Sequence, residues 1–331
     1  MKVIVLMGGD SAEREVSLVS GDQVARALTE NGHEVIKIDP AATKKEQTEL
    51  NQTDRHWIGI DYPDITTLPL HRGSLYTKNM LIVKRLNPDV VFNALHGGKG
   101  ENGIVQGMLD ACEVPYTGSG RIASMIAMEK DLAKFFFSSH RLPVPEGVII
   151  NKNSEIKIDL DYPIVVKPHD QGSTIGLHIV NTMIDLDAAV KDAFMFGNKL
   201  VIEKYIPGRE ITCAILDNTP LAIVEIIPKH NIYDYECKYT GGMSSYEAPA
   251  KIDPVLTKRI QELSLQAHRV LGCRGYSRVD FRLTESNEPY ILEVNTNPGM
   301  TGTSLVPKSA KAENISFNAL LENIIQLAAD G

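Results

Sequence analysis

The chain has 331 residues and a formal net charge of −8, with 43% hydrophobic and 23% charged residues. This length exceeds one ordinary domain and predicts two or three lobes, while the average composition excludes long disordered stretches. The acidic balance lacks the basic field that a nucleic-acid partner requires.

We also expect neither a membrane span nor an export signal. The apolar run VIVLM, which follows Lys2, is too short for a signal-peptide core and predicts a first strand instead. No window approaches the roughly 18 apolar residues of a transmembrane helix. These two features predict a cytoplasmic protein without a membrane partner. The cysteines form no CxxC pair, so we expect reduced thiols. They are Cys112, Cys213, Cys237 and Cys273.

Strand and helix patterns alternate over the first third of the chain. The strand VIVLM precedes a helix from about Ser11 to Glu30, followed by the strands HEVIKID and DVVFNAL. This alternation predicts a parallel sheet with helices on its faces. Residues 40 to 80 are polar with scattered Pro and Gly, and their pattern assigns no element.

A second lobe is predicted beyond a boundary near residue 120. A helix over about 121 to 140 ends before LPVPEG, because proline cannot continue it. The strand YPIVVKP, the turn HDQGSTIG, the strand LHIV, a helix over 185 to 196 and the strand KLVIEKYI follow.

The last third combines strands with two capped helices. Strands over 209 to 217 and 220 to 228 precede a polar, tyrosine-rich segment over 229 to 250. Asp253 is placed to cap a helix that stops at Gly272, and Ser316 to cap a C-terminal helix. A hairpin over 275 to 295 lies between these helices.

The hairpin strands SRVDFRL and PYILEVN alternate apolar and polar residues. If Leu283 faces Tyr290, then Phe281 faces Leu292, and one side of the hairpin is entirely apolar. The register then follows for the whole hairpin.

The polar side of this hairpin gathers acids. The same register places Asp280 opposite Glu293 and Arg278 opposite Asn295, and opposed carboxylates repel unless a cation lies between them. Oxygen ligands from Asp280, Glu293 and Asn295 suit Mg²⁺. The alternative is a solvated acidic face that Arg278 and Arg282 compensate. The segment NTNPGMTGTS follows directly, and the Gly299 N–H is the best candidate there to approach a reacting oxygen.

Lys167 ends an apolar strand before the glycine-rich stretch QGSTIG, whose backbone N–H groups are able to wrap a phosphate. The order differs from a P-loop, in which the lysine follows the last glycine and opens a helix. The stretch is therefore predicted to be a hairpin lid, although a Gly-Ser turn between strands also forms without any ligand.

In VIEKYI, the backbone N–H and C=O groups of Lys204 and Tyr205 are candidates to face an adenine, and Glu210 is a candidate to face a ribose. An edge strand with a surface lysine is the alternative.

Together these motifs resemble the ATP-grasp ligases and, among them, the D-alanine:D-alanine ligase family. Matching stretches follow the family's order along nearly the whole chain outside about 40 to 85: GGDSAEREVS, LHGGKGENG, PYTGSG, EKDLAK, VVKPHDQGSTIG, IEKYIPGREIT, YDYECKY, SRVDF and LEVNTNPGMTGTSLVP. The resemblance implies an α/β chain with α+β lobes, in which an N-terminal parallel-sheet preATP-grasp domain precedes the ATP-grasp fold. The expected domains are 1–120, 121–205 and 206–331.

The resemblance also implies ligands and roles for single residues. It places ATP at Lys130, Lys167, Ser173, Glu203, Lys204, Glu210 and Lys238, with Glu203 at the adenine and Glu210 at the ribose. It assigns Mg²⁺, with two ions expected and Mn²⁺ able to substitute, to Asp280, Glu293 and Asn295.

For the amino acids, the resemblance implies that Glu13 orients the first D-alanine's ammonium and that His96 lies near its carboxylate. Arg278 and the Gly299 N–H stabilise the oxyanion, and the second carboxylate meets Ser304 and the Leu305 backbone. The substrate network is completed by Ser173, Tyr239 and Ser304.

The implied activity joins two D-alanines through an acyl phosphate for peptidoglycan precursors, in a homodimer. Tyr239 following Lys238 favours an amine acceptor, and the 229–250 segment is the expected lid.

Some of these residues also have alternative roles. Glu13 is alternatively a capping-box partner of Asp10, and His96 is alternatively a structural histidine. Tyr233, Tyr235 and Tyr239 are alternatively loop-packing residues. An ATP-grasp ligase with another acid or acceptor, or a non-catalytic nucleotide-binding protein, are the alternative functions.

Overall fold

A three-stranded parallel sheet forms the N-terminal part of the chain, as predicted. The computed structural model describes residues 1–52, 72–154, 157–230, 233, 237–238 and 242–330. The strands, in the order β2-β1-β3, are β1 (Lys2–Leu6), β2 (Glu34–Ile38) and β3 (Val90–Asn93). Helices α1 (Arg14–Glu30), α2 (Lys44–Gln52), α3 (Gly73–Leu86) and α4 (Ile104–Cys112) accompany the sheet. The unassigned stretch therefore contains α2 and the start of α3, while 53–71 lie outside the described residues.

The single helix predicted over 121 to 140 is wrong, because the chain forms two helices there. They are α5 (Arg121–Met128) and α6 (Lys130–Ser139), separated by Glu129 in an extended conformation with ψ at 94°. No glycine or proline marks this break in the sequence. It makes Lys130 the first residue of α6, where its N–H donates to the His169 carbonyl at 2.9 Å.

A second, antiparallel sheet has the strand order β4-β7-β5-β6. Its elements are β4 (Gly147–Asn151), β5 (Ile164–Pro168), β6 (His178–Val180), α7 (Met183–Ala193) and β7 (Lys199–Lys204). Strand β4 was not predicted, and α7 begins earlier than expected. The predicted hairpin around the glycine-rich turn is confirmed, since β5 and β6 pair across it.

The third sheet is antiparallel, with the strand order β10-β9-β8-β11-β12. Its strands are β8 (Arg209–Leu216), β9 (Thr219–Pro228), β10 (Ser244–Glu247), β11 (Tyr276–Leu283) and β12 (Pro289–Asn295). Its helices are α8 (Pro254–Val270), α9 (Leu305–Ala312) and α10 (Phe317–Ala329). Asp253 caps α8 and Ser316 caps α10, as predicted, whereas α9 was not predicted.

The register of the β11–β12 hairpin is confirmed only at its open end. Arg278 pairs with Asn295 and Asp280 with Glu293, but the register shifts between Asp280 and Phe281. The predicted partners of the next apolar residues are therefore wrong. Instead of Leu292 and Tyr290, the pairs are Phe281 with Ile291 and Leu283 with Pro289.

A β-bulge explains this shift, because one extra residue on a strand changes which side chains reach each face. Ile291 is fully buried with Phe281 in the core beneath the sheet. Leu292 instead borders a cavity. The bulge thus keeps the apolar face continuous and leaves the two acids opposed.

The C-terminal helix closes the chain onto its beginning. Val3 and Val5 of β1 share one hydrophobic cluster with Leu320 and Ile324 of α10. The loop after β12 also contacts the segment after β3, because the Asn297 side-chain amide donates to the Leu95 carbonyl. The ends of the first and third sheets therefore meet. Within the described part of the chain, helices long and apolar enough to span a bilayer are absent.

Candidate active site between the sheets

Two adjoining cavities lie where the sheets meet. The larger has a volume of about 500 Å³ and the smaller about 140 Å³. The predicted residues on the larger one are Glu13, His96, Lys130, Ser173, Lys238, Arg278, Glu293, Asn295, Gly299, Ser304 and Leu305. The predicted residues on the smaller one are Lys130, Lys167, Ser173, Glu203, Lys204, Glu210, Lys238, Arg278, Asp280 and Glu293. Of the predicted site residues, Tyr239 lies outside the described part of the chain.

Glu13 lies at the start of α1 with its carboxylate turned toward the glycine-rich turn. The Ser173 hydroxyl donates a hydrogen bond to it. The capping-box alternative is wrong, because the Glu13 side chain makes no cap hydrogen bond and Asp10 instead accepts one from Tyr76. Burial, with the nearby charge of Glu101, raises the pKa of Glu13. A buried acceptor is thus available for a cationic group in the larger cavity.

The glycine-rich turn approaches Glu13 closely. A Cβ at Gly172 would lie 3.2 Å from the Glu13 carboxylate, which leaves little room for a side chain. Ser173 and Thr174 both have left-handed backbones, with φ of 48° and 64°. This conformation is uncommon for residues with side chains and occurs often at binding sites. The turn therefore holds Ser173 against the start of α1.

His96 follows β3 at the carboxyl end of the parallel sheet, where open sheets bind ligands. Its ring nitrogens lie 3.2 Å from the Ser20 hydroxyl and 3.4 Å from Glu101. These contacts hold the buried ring in one orientation. His96 therefore makes the contacts of a structural histidine and also borders the larger cavity.

Glu203 is paired with two lysines in the smaller cavity. Lys167 donates to its carboxylate at 2.6 Å, and Lys134 donates to the other oxygen. Burial alone would raise the pKa of Glu203, but the charges of Lys167 and Lys134 lower it. Lys134 was missed in the sequence, although it lies one helical turn after Lys130 and so shares its face of α6.

The predicted adenine contact involved the backbone N–H and C=O groups of Lys204 and Tyr205, and the N–H groups have other partners. The Lys204 N–H donates to the Glu146 carbonyl at 2.8 Å, and the Tyr205 N–H donates to the Pro163 carbonyl at 3.1 Å. Both donors are thus committed within the second sheet. Lys204 and Glu210 both border the smaller cavity. Burial raises the pKa of Glu210, although the positive charge of Arg282 lies 3.4 Å away and lowers it.

The opposed acids of β11 and β12 are partly buried and lie among cations. Arg278 donates to both carboxylate oxygens of Asp280, at 2.8 and 2.6 Å. Lys130 lies 3.3 Å from Glu293. The Asp280 side chain is 13% exposed and that of Glu293 is 34% exposed, so this face is only partly solvated, and Arg278 compensates Asp280 as the alternative expected. Thr212, which the sequence did not single out, donates to Asp280 at 2.6 Å.

The donor set of this pair is chemically suited to a hard cation. Asp280 and Glu293 face each other across the strands, and the Asn295 amide oxygen follows two residues after Glu293. All of these donors are oxygens, the ligand type that Mg²⁺ prefers. Burial alone would raise the pKa of Glu293, but Lys130 and Lys238 outweigh it and lower the pKa to about 2. Glu293 is therefore ionised, as a metal ligand must be.

The loop before α9 forms another wall of the larger cavity. Ser304 is the N-cap residue of α9, and Leu305 is its first helical residue. The Ser304 hydroxyl accepts from the Thr301 N–H at 3.1 Å. A Cβ at Gly299 would lie 3.1 Å from this hydroxyl, so glycine allows the loop to pack this tightly.

Lys238 lies between the two cavities. Its ammonium donates to the Thr174 hydroxyl at 3.1 Å and lies 5.4 Å from the Tyr233 ring centre. The Tyr233 hydroxyl is 2.9 Å from that of Tyr246 in β10, and Tyr233 also borders both cavities. Tyr235 and other residues in the middle of the 229–250 segment lie outside the described residues.

Comparisons with known proteins agree with this arrangement. The family models described as D-ala D-ala ligase N-terminus and C-terminus match residues 2–119 and 145–326. The chain belongs to the D-ala D-ala ligase family. This confirms the family that the sequence motifs predicted.

Full-length relatives of this family are similar over nearly the whole chain. The D-alanine–D-alanine ligase of Geotalea uraniireducens is 38% identical over 99% of this chain and 96% of its own length. That of Sphingopyxis alaskensis is 40% identical over 98% of this chain and 97% of its own. A crystal structure of the Bacillus anthracis ligase complexed with ATP is 31% identical, with a TM-score of 0.79, covering 100% of this chain and 98% of that one. The predicted ATP-grasp fold is confirmed by this likeness.

Proposed function

We propose that this chain is an ATP-dependent ligase that condenses two D-alanines to D-alanyl-D-alanine through an acyl phosphate. The observation that carries the proposal is the junction of the two cavities, where Lys130, Ser173, Lys238, Arg278 and Glu293 border both. A nucleotide in one cavity and amino acids in the other thus meet at a boundary of cations and acids. Phosphoryl transfer across such a boundary depends mainly on positioning and electrostatic stabilisation.

The smaller cavity is the proposed ATP site. The Bacillus anthracis relative was crystallised with ATP, and the shared fold supports the same ligand here. Lys167, Lys130 and Lys238 supply positive charge for the phosphates, and Lys204 borders the entrance. Glu203, fixed by its two lysines, lies toward the adenine, and Glu210 toward the ribose.

Asp280, Glu293 and Asn295 are the proposed ligands of Mg²⁺, with two ions expected and Mn²⁺ able to substitute. When bound, the cation neutralises charge on the transferring phosphoryl group. The residues themselves supply the oxygen donors, and Lys130 and Arg278 lie beside the two acids.

Glu13 and His96 are the proposed contacts of the first D-alanine, at its ammonium and its carboxylate. One carboxylate oxygen of this D-alanine attacks the γ-phosphorus of ATP, ADP leaves, and an acyl phosphate forms. Glu13 accepts from Ser173, so its orientation is set before the substrate binds. Such pre-positioning lowers the entropic cost of aligning the reacting atoms.

The second D-alanine then attacks the acyl carbon with its amine. The carbonyl oxygen becomes negative as the new C–N bond forms, and Arg278 with the Gly299 N–H stabilises that charge. Phosphate leaves with the original carboxylate oxygen, and the amine loses a proton. Ser304 and the Leu305 N–H hold the second carboxylate, and Ser173 and Tyr239 complete the substrate network.

The role in peptidoglycan precursor synthesis, the cytoplasmic location and the homodimer rest on the family resemblance. The amine acceptor rests on the tyrosine at position 239, and the domain limits 1–120, 121–205 and 206–331 follow the sequence boundaries.

The proposal is tested by ADP release with D-alanine, with L-alanine and without amino acid, followed by product mass. We expect ADP release that depends on D-alanine, with one D-alanyl-D-alanine formed per ADP. If a different amino acid stimulated ADP release and gave its own product, that amino acid rather than D-alanine would be the substrate.

A further inference from the structure

Lys308 lies on the wall of the larger cavity beside the start of α9. Its N–H donates to the Ser304 carbonyl at 3.1 Å, so the two residues are one helical turn apart. Long helical side chains lean back toward the helix N-terminus, which directs Lys308 toward Ser304. Ser304, Leu305 and Lys308 all line this cavity.

Lys308 differs from Lys130 and Arg278, two other cations of the cavity, in having no counter-ion in the described part of the chain. Lys130 lies 3.3 Å from Glu293, and Arg278 is paired with Asp280. Among the residues that the structure describes, no carboxylate forms an ion pair with Lys308, and burial alone lowers its pKa. An ammonium that is partly removed from water without a partner is unfavourable. The position therefore favours an anionic ligand.

The Lys308 ammonium is held in place by an aromatic ring. It lies 4.3 Å from the centre of the Tyr246 ring, a cation–π contact. Tyr246 is fixed in turn by its hydroxyl contact with Tyr233 at 2.9 Å. The ring attracts the ammonium but does not neutralise it, so the charge stays available to a ligand.

We propose that Lys308 binds the α-carboxylate of the second amino acid and makes the ligase select acceptors that carry a free carboxylate. This inference rests on the proposed function. The first amino acid's carboxylate becomes the acyl phosphate, whereas the second one's stays ionised throughout. The start of α9 attracts the same group, because unpaired N–H groups and the helix dipole favour anions there.

Competition between two acceptors tests this selectivity. D-Alaninamide has no carboxylate to be phosphorylated, so it serves only as an acceptor and yields D-alanyl-D-alaninamide. With D-alanine and D-alaninamide in one reaction, mass spectrometry gives the ratio of the two products. We expect Lys308→Met to lower the ratio of dipeptide to dipeptide amide by roughly 10-fold or more. Lys308→Arg, which keeps the charge, should hold the ratio near that of the unaltered protein.

The ratio is independent of how much of a variant folds, because the same active molecules make both products. Lys308→Gln is a second neutral variant, and single turnovers at high enzyme concentration allow a slow variant to be measured. Lys311→Met, at an exposed position of the same helix, is the matched control. An unchanged ratio in both neutral variants overturns the role of Lys308. Failure of the unaltered protein to join D-alanine would instead reject the proposed function.

Discussion

The Ser173 hydroxyl donates to the Glu13 carboxylate, across a sequence separation of 160 residues. This contact joins the glycine-rich turn of the second sheet to the helix that follows the first strand. A turn placed to cover phosphates is thus connected to the residue that we expect to hold the first amino acid. Under the proposed function, this hydrogen bond connects the nucleotide site to the amino-acid site.

Glu13→Gln should raise the KM for the first D-alanine by roughly 10-fold or more, because a neutral amide replaces a charged partner of the ammonium. The KM for ATP should change little, since glutamine still accepts from Ser173. Steady-state kinetics with each substrate varied in turn measure both constants. Glu15→Gln, an exposed acid on the same helix, is the control. Equal effects of the two variants would contradict a binding role for Glu13.

Asp280→Asn should weaken magnesium-dependent ATP binding, because it removes one of the opposed carboxylates. Removing an outer-shell partner of a metal site typically lowers metal affinity by roughly 10- to 100-fold. Because Asp280 is a proposed direct ligand, the loss of magnesium-dependent ATP affinity should be larger than that. Calorimetric titration of ATP at several Mg²⁺ concentrations measures it. Glu285→Gln, on the exposed turn of the same hairpin, should leave binding unchanged. An Asp280→Asn protein with the normal Mg²⁺ dependence would remove Asp280 from the metal site.

Lys134→Met should lower the free energy of unfolding by up to about 3 kcal/mol, because Glu203 is buried and loses one of its two cations. ATP binding should weaken as well, since the carboxylate is no longer held from both sides. Chemical denaturation and nucleotide titration measure the two effects.

The double variant Lys134→Met with Glu203→Gln provides the control. The double variant no longer contains a carboxylate that has lost one of its two cations, so its stability should exceed the value expected from adding the two single losses. Simple additivity would show that the two side chains do not interact as an ion pair.

His268 should make stability depend on pH on the acid side of neutrality. Burial lowers its pKa from the usual 6.5 to about 4, and its ring lies 2.7 Å from the Ser277 hydroxyl. Between these values the unfolded chain binds the proton and the folded chain does not. The stabilisation is therefore fully present above pH 6.5 and is lost as pH falls toward 4, by roughly 3 kcal/mol in all.

Denaturant unfolding from pH 7 to pH 4 measures this dependence. The His268→Gln protein should lose less stability over that range than the unaltered protein. His140→Gln, at an exposed histidine, should not alter the slope. If His268→Gln leaves the slope unchanged, the buried ring does not titrate as described.

The features visible in the sequence were those with a local pattern. Alternation placed Asp280 opposite Glu293, and local capping chemistry located α8 and α10 at Asp253 and Ser316. The β-bulge after Asp280 was not predictable, because its advantage comes from burying Ile291 in a core formed by distant residues. The break at Glu129 likewise lacks a glycine or proline. It depends on the Lys130 N–H reaching His169.

Contacts between strands distant in sequence explain the remaining errors. The Lys204 and Tyr205 N–H groups were expected to face a ligand, yet they donate to the carbonyls of Glu146 and Pro163, which immediately precede β4 and β5. Nothing near VIEKYI in the sequence indicates those neighbours. Lys134 could have been found, because its helical spacing from Lys130 places both on one face. Lys308 was overlooked because α9 itself was not predicted.

The central claim, that ATP activates one amino acid as an acyl phosphate for attack by the other, is tested by oxygen transfer. D-Alanine with both carboxylate oxygens replaced by ¹⁸O is incubated with ATP and Mg²⁺, and the phosphate and dipeptide are analysed by mass spectrometry. We predict one ¹⁸O atom in each phosphate released, in step with D-alanyl-D-alanine. Dipeptide formed with unlabelled phosphate would contradict the acyl phosphate, and labelled phosphate without dipeptide would contradict the condensation.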